Sequence, residues 1–382
     1  MKKLITITIL ALLVIITFIS QYSCTKETEE LTLESNRWLE LLNVLPANEN
    51  TLKAAYLQDF AYLSEKMQQY PGVSDEYPIT HNLPLFGDSP RAYSDEEWKQ
   101  TLGFVFGDVD QTIYAGTMPA DYYEAVGGRF SRDDVDNAVR TGPMNEMLEV
   151  VTYQGHEFYS WGTDNDINLS MRSNVRRLGR GFRLALVDNF IFWIRWTDGM
   201  KDMIDSYEDN IDSLADIEDY RLLADALAEF DVCRTFFSSE SQSQSYVREV
   251  YEDFWEEEVS SNEIAELFIE EVEKQVLLKP YQALAAGAGV DEKGYYLVIA
   301  LANPNEAVAR QNTTLLKQRI NQANIVFGGH SGQKWSDIIV SMEIESKGRL
   351  TLAKLYGKVC VYWDDLAVIG LLGLYQPLLM HE

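Results

Sequence analysis

Cysteine is scarce in this chain: three residues in 382, at Cys24, Cys233 and Cys360. That excludes a disulfide-built scaffold and every paired-cysteine zinc motif. Histidine is nearly as thin, with four in the chain and no two at metal-ligand spacing, and neither HExxH nor CxxC occurs. Positive charge is short as well: 32 Lys and Arg stand against 60 Asp and Glu, a net charge of −28. Such a body repels phosphate backbones and anionic headgroups, which excludes nucleic-acid binding. A nucleophile elbow is also missing. "GGHSGQKW" sets His330 beside Ser331, but Gly332 follows the serine directly where Gly-x-Ser-x-Gly needs a spacer.

What the chain does have begins with "MKKLITITILALLVIITFISQYSC". Lys2 and Lys3 precede an uncharged apolar run from Leu4 to Ser20, the layout of a secretory signal. As a helix that run reaches roughly 25 Å, short of a hydrocarbon core of about 30 Å, which favours a processed signal over a spanning helix. Ser23 directly before Cys24 resembles the lipobox of bacterial lipoproteins, although Gln21 and Tyr22 depart from its usual Leu and small residue. The resemblance implies that Cys24 is lipidated and becomes the new N-terminus. The alternative reading keeps residues 1–23 as an uncleaved anchor. In both, the body lies on the extracytoplasmic face of the cell membrane, tethered to it.

The body reads as α+β, in two similar modules of mostly antiparallel sheet with helices packed on one face. After the signal peptide (1–23), a tether and short helix (24–50) lead to a first module (51–240). An acidic helical connector (241–279) separates it from a second module (280–382). Residues 46–72 read as one helix with a cap at Asn50 or Thr51 and a Pro-Gly stop. "LEVVTYQGHEFYSW" and "FRLALVDNFIFWIRW" read as hairpins turning at Gln154-Gly155 and Asp188-Asn189, and a third turns at Lys347-Gly348. Ser131 caps a helix, and Ser213 with Asp216 caps another. "FDVCRTFF" and "GKVCVYW" look strand-like, and an oxidising compartment would allow a disulfide between Cys233 and Cys360. Each module runs strand, turn, a strand opening Tyr-Tyr (Tyr122-Tyr123, Tyr295-Tyr296), helix, hairpin.

The stretch from Phe104 to Phe237 resembles a class of uncharacterised extracytoplasmic bacterial proteins, many of them lipoproteins. "YAGTMPADYYEAVGGRFSRDDVDNAV", "TYQGHEFYSW", "LALVDNFIFWIRWTDGMKDMIDSY" and above all "SLADIEDYRLLADAL" carry the likeness. These are turns, caps and core positions, so the resemblance implies a fold and a compartment and transfers no active site.

Three sets of residues invite a chemical reading. Arg172, Arg176, Arg177, Arg180 and Arg183 gather cations in an acidic chain: either an anion or carboxylate site or internal ion pairing. Asp164, Asp166 and Asn168 in "GTDNDINLS" match the first oxygen ligands of a calcium loop, but Leu169 replaces the needed Gly and Val175 the closing Glu. Acid pairs such as Asp133-Asp134 and Asp364-Asp365 hint at two-carboxylate hydrolysis, which sequence neighbours alone do not establish. The expectation is a lipid-anchored, non-enzymatic binding or interaction module with no cofactor, its partner an envelope protein or a small ligand. The alternatives are a hydrolase acting on glycan or peptide through carboxylates and a calcium-stabilised adhesion module.

Overall fold

Ala55–Asp59 (AYLQD), within the stretch expected to be one helix, is instead strand β1, buried at every position. The helix breaks in two around it. Helix α2, Glu49–Lys53, starts at Asn48, whose side chain accepts from the backbone of Asn50 and Thr51. Helix α3, Phe60–Gln69, starts at Asp59, which accepts from Tyr62 N at 2.8 Å. The two caps end and restart the helix, and pairing on both edges holds the five residues between them extended.

In this computed structural model the described residues are 36–71, 95–117, 121–171, 179–240, 243–246, 274–325, 332–361 and 377–382. Outside them fall Cys24, Arg172, Arg176, Arg177, most of the acidic connector (247–273) and most of the apolar tail (362–376). Strands β2 (Val109–Thr117), β3 (Asp121–Gly128), β4 (Leu148–Tyr153), β5 (His156–Trp161), β6 (Phe182–Val187) and β7 (Phe190–Ile194) form one half. Strands β8 (Val232–Ser238), β9 (Ala283–Asp291), β10 (Gly294–Ala302), β11 (Ile339–Lys347) and β12 (Leu350–Gly357) form the other.

All twelve lie in one sheet, ordered β11-β12-β10-β9-β8-β1-β2-β3-β7-β6-β5-β4, and every neighbouring pair is antiparallel. The expected modules are therefore halves of a single sheet joined through β1. The turns are as expected: Gln154 (φ 49°) and Gly155 (84°) link β4 to β5, Asp188 (50°) sits between β6 and β7, and Gly348 (56°) between β11 and β12.

Helices cover both faces, where one was expected. Strand alternation sends Ala55, Leu57, Ile113, Ala115, Tyr123, Phe192 and Val298 to the first face. There they meet Trp38 and Leu41 of α1 (Arg37–Leu42), Met200 and Met203 of α6 (Thr197–Tyr207), and Tyr220 and Leu223 of α7 (Glu218–Ala228). On the second face two separate clusters form. Over the β8–β12 half, Leu63 of α3, Leu316 and Ile320 of α8 (Glu306–Gln322) and Trp335 of α9 (Trp335–Ile338) pack on Leu297, Ile299 and Leu355. Over β5–β7, Trp98 of α4 (Asp95–Leu102) and Val135 and Val139 of α5 (Arg132–Thr141) pack on Trp161, Leu184 and Trp193. Strands buried on both sides lose the polar-out alternation that would show a second helical layer in sequence.

Caps and amides fix the helices in place. Ser131 accepts from Asp134 N, and at the 3₁₀ turn Leu214–Asp216 the Asp216 carboxylate accepts from Ser213 N at 2.9 Å and Ser213 Oγ at 2.8 Å. Asn312 of α8 is buried with its amide satisfied by Lys279 O, Lys279 N and Asn303 Oδ1 at 2.7–3.0 Å. Asn303 in turn donates to Thr351 Oγ1 at 3.1 Å, so α8 is bolted to β12 through three polar side chains. No helix among the described residues is long and apolar enough to cross a membrane.

Candidate functional site

Of the expected arginine cluster, Arg180 and Arg183 lie among the described residues, and Arg183 joins the expected acidic loop. Arg183, on β6 and nearly fully buried, meets Asp164 at 2.5 Å and donates to Thr197 Oγ1 at 3.0 Å and Gly162 O at 3.1 Å. Thr197 also donates to Asp164 at 2.8 Å. Arg180 is half-buried and bridges backbone to backbone with Ile167. Asp164 is thus committed to a guanidinium, and Asn168 Oδ1 accepts from Ser170 N and Oγ. Among the described residues no group of three His, Cys, Asp or Glu is placed to hold a metal. Cys233 is a free, buried thiol rather than half of a disulfide, and burial pushes it up to about 12. The backbone of Cys360 lies in the short 3₁₀ turn Lys358–Val361, which replaces the strand expected there.

The most concentrated chemistry lies where the sequence showed no motif: the second face at the middle of the sheet, between the two helical clusters. Alternation on β2 puts Thr112 and Tyr114 there, on β3 Tyr122, Glu124 and Val126, on β7 Trp193 with Arg195 following, on β1 Gln58 and on β8 Arg234. The register sets them side by side: Gln58 faces Arg234 and Thr112, while Glu124 faces Tyr114 on one edge and Trp193 on the other. Thr112, Tyr114, Tyr122 and Glu124 are all at most 4 % exposed, and Gln58 and Arg234 are fully buried.

The partners within this strip are specific. Tyr114 and Tyr122 stack with centroids 4.7 Å apart. Arg195 lies 4.4 Å over the Tyr122 ring and donates to its hydroxyl. With the Gln58 amide turned so that its oxygen faces Arg234, it accepts from Nη2 at 3.1 Å and Nε at 3.3 Å. Burial first, then the neighbouring Tyr122 and Glu124, push the Tyr114 phenol far above its usual range, with Arg195 opposing. Tyr114 is therefore a neutral hydroxyl at any physiological pH. The hydroxyls of Thr112 and Tyr114 have no hydrogen-bond partner among the described residues. A dry, unpaired hydroxyl costs about 1–3 kcal/mol, so two on one strand are an expense the fold does not need.

The other half of the sheet shows how little the fold needs them. Counting from the Tyr-Tyr pairs, Glu124 corresponds to Leu297 and Val126 to Ile299. The cross-strand partners Tyr114 and Thr112 correspond to Ala288 and Ala286. Those four positions of the second half are fully buried and wholly apolar. Of the strip's residues, Glu124 had the plainest signal in sequence: a carboxylate in the same alternating set as Tyr122 and Val126, both inward-facing. Within the described part of the strip it is the single carboxylate, so the two-acid hydrolase reading finds no second acid there. The strip can present neutral hydroxyls, a carboxylate and a guanidinium to a polar guest.

No protein-family model matches the chain, and no curated protein matches it. Among solved structures, two crystal forms of the protein TP0453 are similar. Form III gives a TM-score of 0.38 at 8 % identity over 85 % of this chain and 98 % of that one. Form I gives 0.38 at 9 % identity over 88 % and 97 %.

Proposed function

We propose that this chain is a membrane-tethered extracytoplasmic lipoprotein, lipidated at Cys24, that acts as a non-enzymatic binding module for a small polar ligand. The leader and the Ser23-Cys24 junction support the tether, and the net charge of −28 favours uncharged or zwitterionic partners over polyanions. The observation that carries the binding role is the pair of buried, unpartnered hydroxyls of Thr112 and Tyr114 beside Glu124. A guest supplying acceptors would satisfy both, and the stacked tyrosines would flank it as aromatic faces flank sugars and peptide groups.

The test is a thermal-unfolding panel on the full chain in detergent, with N-acetylglucosamine, glucose and glycylglycine at millimolar concentration. One probe class is expected to raise the melting temperature of the wild type. Tyr114→Phe is expected to keep the fold and lose that rise. If no probe shifts the wild type, and removing the hydroxyl lowers stability, the strip is a structural polar core and the binding role falls. The tether is checked separately by metabolic labelling with palmitate, which Cys24→Ala should abolish.

A further inference from the structure

A second unsatisfied group lies in the other half of the molecule, away from the strip. Arg319 stands on the inward face of α8, in register with Ala309, Asn312, Leu316 and Ile320, and is fully buried. Its Nη1 donates to the carbonyls of Leu378 at 2.9 Å and Met380 at 2.7 Å, which fixes the plane of the guanidinium. Its Nε and Nη2 have no hydrogen-bond partner among the described residues. Those two nitrogens make up the side-on edge of the fork, the edge that grips a carboxylate through two parallel hydrogen bonds. Arg183 shows a buried arginine whose charge is met: a carboxylate stands at 2.5 Å, although its Nη1 also has no partner among the described residues. Among the described residues Arg319 has carbonyls alone, which accept hydrogen bonds but carry no charge to balance the guanidinium. Tyr281 acts on it electrostatically, but its hydroxyl is spent on Leu379 O at 2.8 Å. An isolated buried cation costs several kcal/mol, far more than one helix position repays. The surrounding side chains of Leu316, Ile320, Leu378 and Met380 are apolar and buried.

We propose that Arg319 anchors the carboxylate of an apolar-chain acid held inside the β8–β12 half, with Nε and Nη2 donating to its two oxygens and the hydrocarbon lying against the α8 core. Binding is non-covalent and places the one polar group of the guest on the one unsatisfied edge of the site. The proposal is independent of the strip around Tyr114, and its failure leaves that reading untouched.

The test uses the full chain in detergent, titrated calorimetrically with decanoate and with decanol, each corrected against protein-free micelles. Wild type is expected to bind decanoate saturably, at least about tenfold tighter than decanol. Arg319→Met, which keeps length and removes the fork, is expected to bring the two to within about twofold. Equal binding of decanoate and decanol by the wild type, or no saturable binding of decanoate, overturns the proposal. Because the wild-type comparison decides on its own, a variant that fails to fold does not blunt the test.

Discussion

Strand β3 and strand β10 occupy the same place in the two halves of the sheet. Each follows a hairpin partner, β2 or β9, and leads into a helix, α5 or α8. Each is then joined on its far side by a returning strand, β7 or β12. The first half inserts one more hairpin, β4–β5, before that return. With the scaffold held this similar, the second face differs sharply in chemistry. Around β10 it is Ala286, Ala288, Leu297, Ile299, Ala353 and Leu355, and around β3 it is Thr112, Tyr114, Glu124 and Trp193. The apolar half demonstrates a fully sufficient way of building this layer. The polar half carries buried polar groups that this layer does not require, which supports the proposed binding role.

The comparison can be broken at four places. The largest effect is expected from Leu297→Glu, which copies Glu124 into the apolar half. With only Leu355 and Ala288 across from it, the carboxylate should cost more than about 3 kcal/mol in urea denaturation, or prevent folding. Smaller is Gly289→Ala: the added Cβ would stand 2.5 Å from the Tyr296 ring. That ring packs beneath the bare glycine on the first face, so overpacking should lower stability by about 1–3 kcal/mol.

Smaller again is Asp291→Asn, at the polar knot where the carboxylate accepts from Lys354 Nζ at 2.9 Å, Tyr356 OH at 2.7 Å and Lys293 N at 2.9 Å. Burial alone would raise the Asp291 carboxyl, but these donors outweigh it and hold the group below its usual range. A lowered carboxylate stabilises the fold above its unfolded value near 3.8 and stops doing so as pH falls through its folded value. The variant should therefore cost about 0.5–1 kcal/mol at pH 7, allowing for solvent screening, and converge on wild type as pH falls through the lowered folded value. The fourth place is the pair of hydroxyls of the strip, where removal should cost the fold nothing.

Much of this architecture was legible because local chemistry dictates it. Gln154-Gly155, Asp188-Asn189 and Lys347-Gly348 announce their turns and Ser131 its helix, while Ser213 and Asp216 mark a 3₁₀ turn ahead of α7, which starts after Ile217. Strand β1 was hidden because Leu52, Ala55, Tyr56, Phe60 and Leu63 keep a helical spacing straight through it, and only pairing with β2 and β8 overrides that spacing. The ion pair between Arg183 and Asp164 was half visible: both residues stood out singly, and nothing in a linear sequence says that they meet. Glu124 and Arg319 were the readable anomalies, each a charge at an inward position of an otherwise apolar period, yet neither belongs to any motif. A site built from solitary exceptions to a pattern shows itself once the pattern's faces are known.

The central claim is that the Thr112 and Tyr114 hydroxyls serve a guest and not the fold. Chemical denaturation of the Thr112→Val/Tyr114→Phe double variant tests it most directly. The account predicts a cooperative transition with stability equal to wild type or higher by about 1–2 kcal/mol, since two dry hydroxyls are removed with shape conserved. A loss of more than about 1 kcal/mol would mean the protein itself satisfies those groups, and would contradict it.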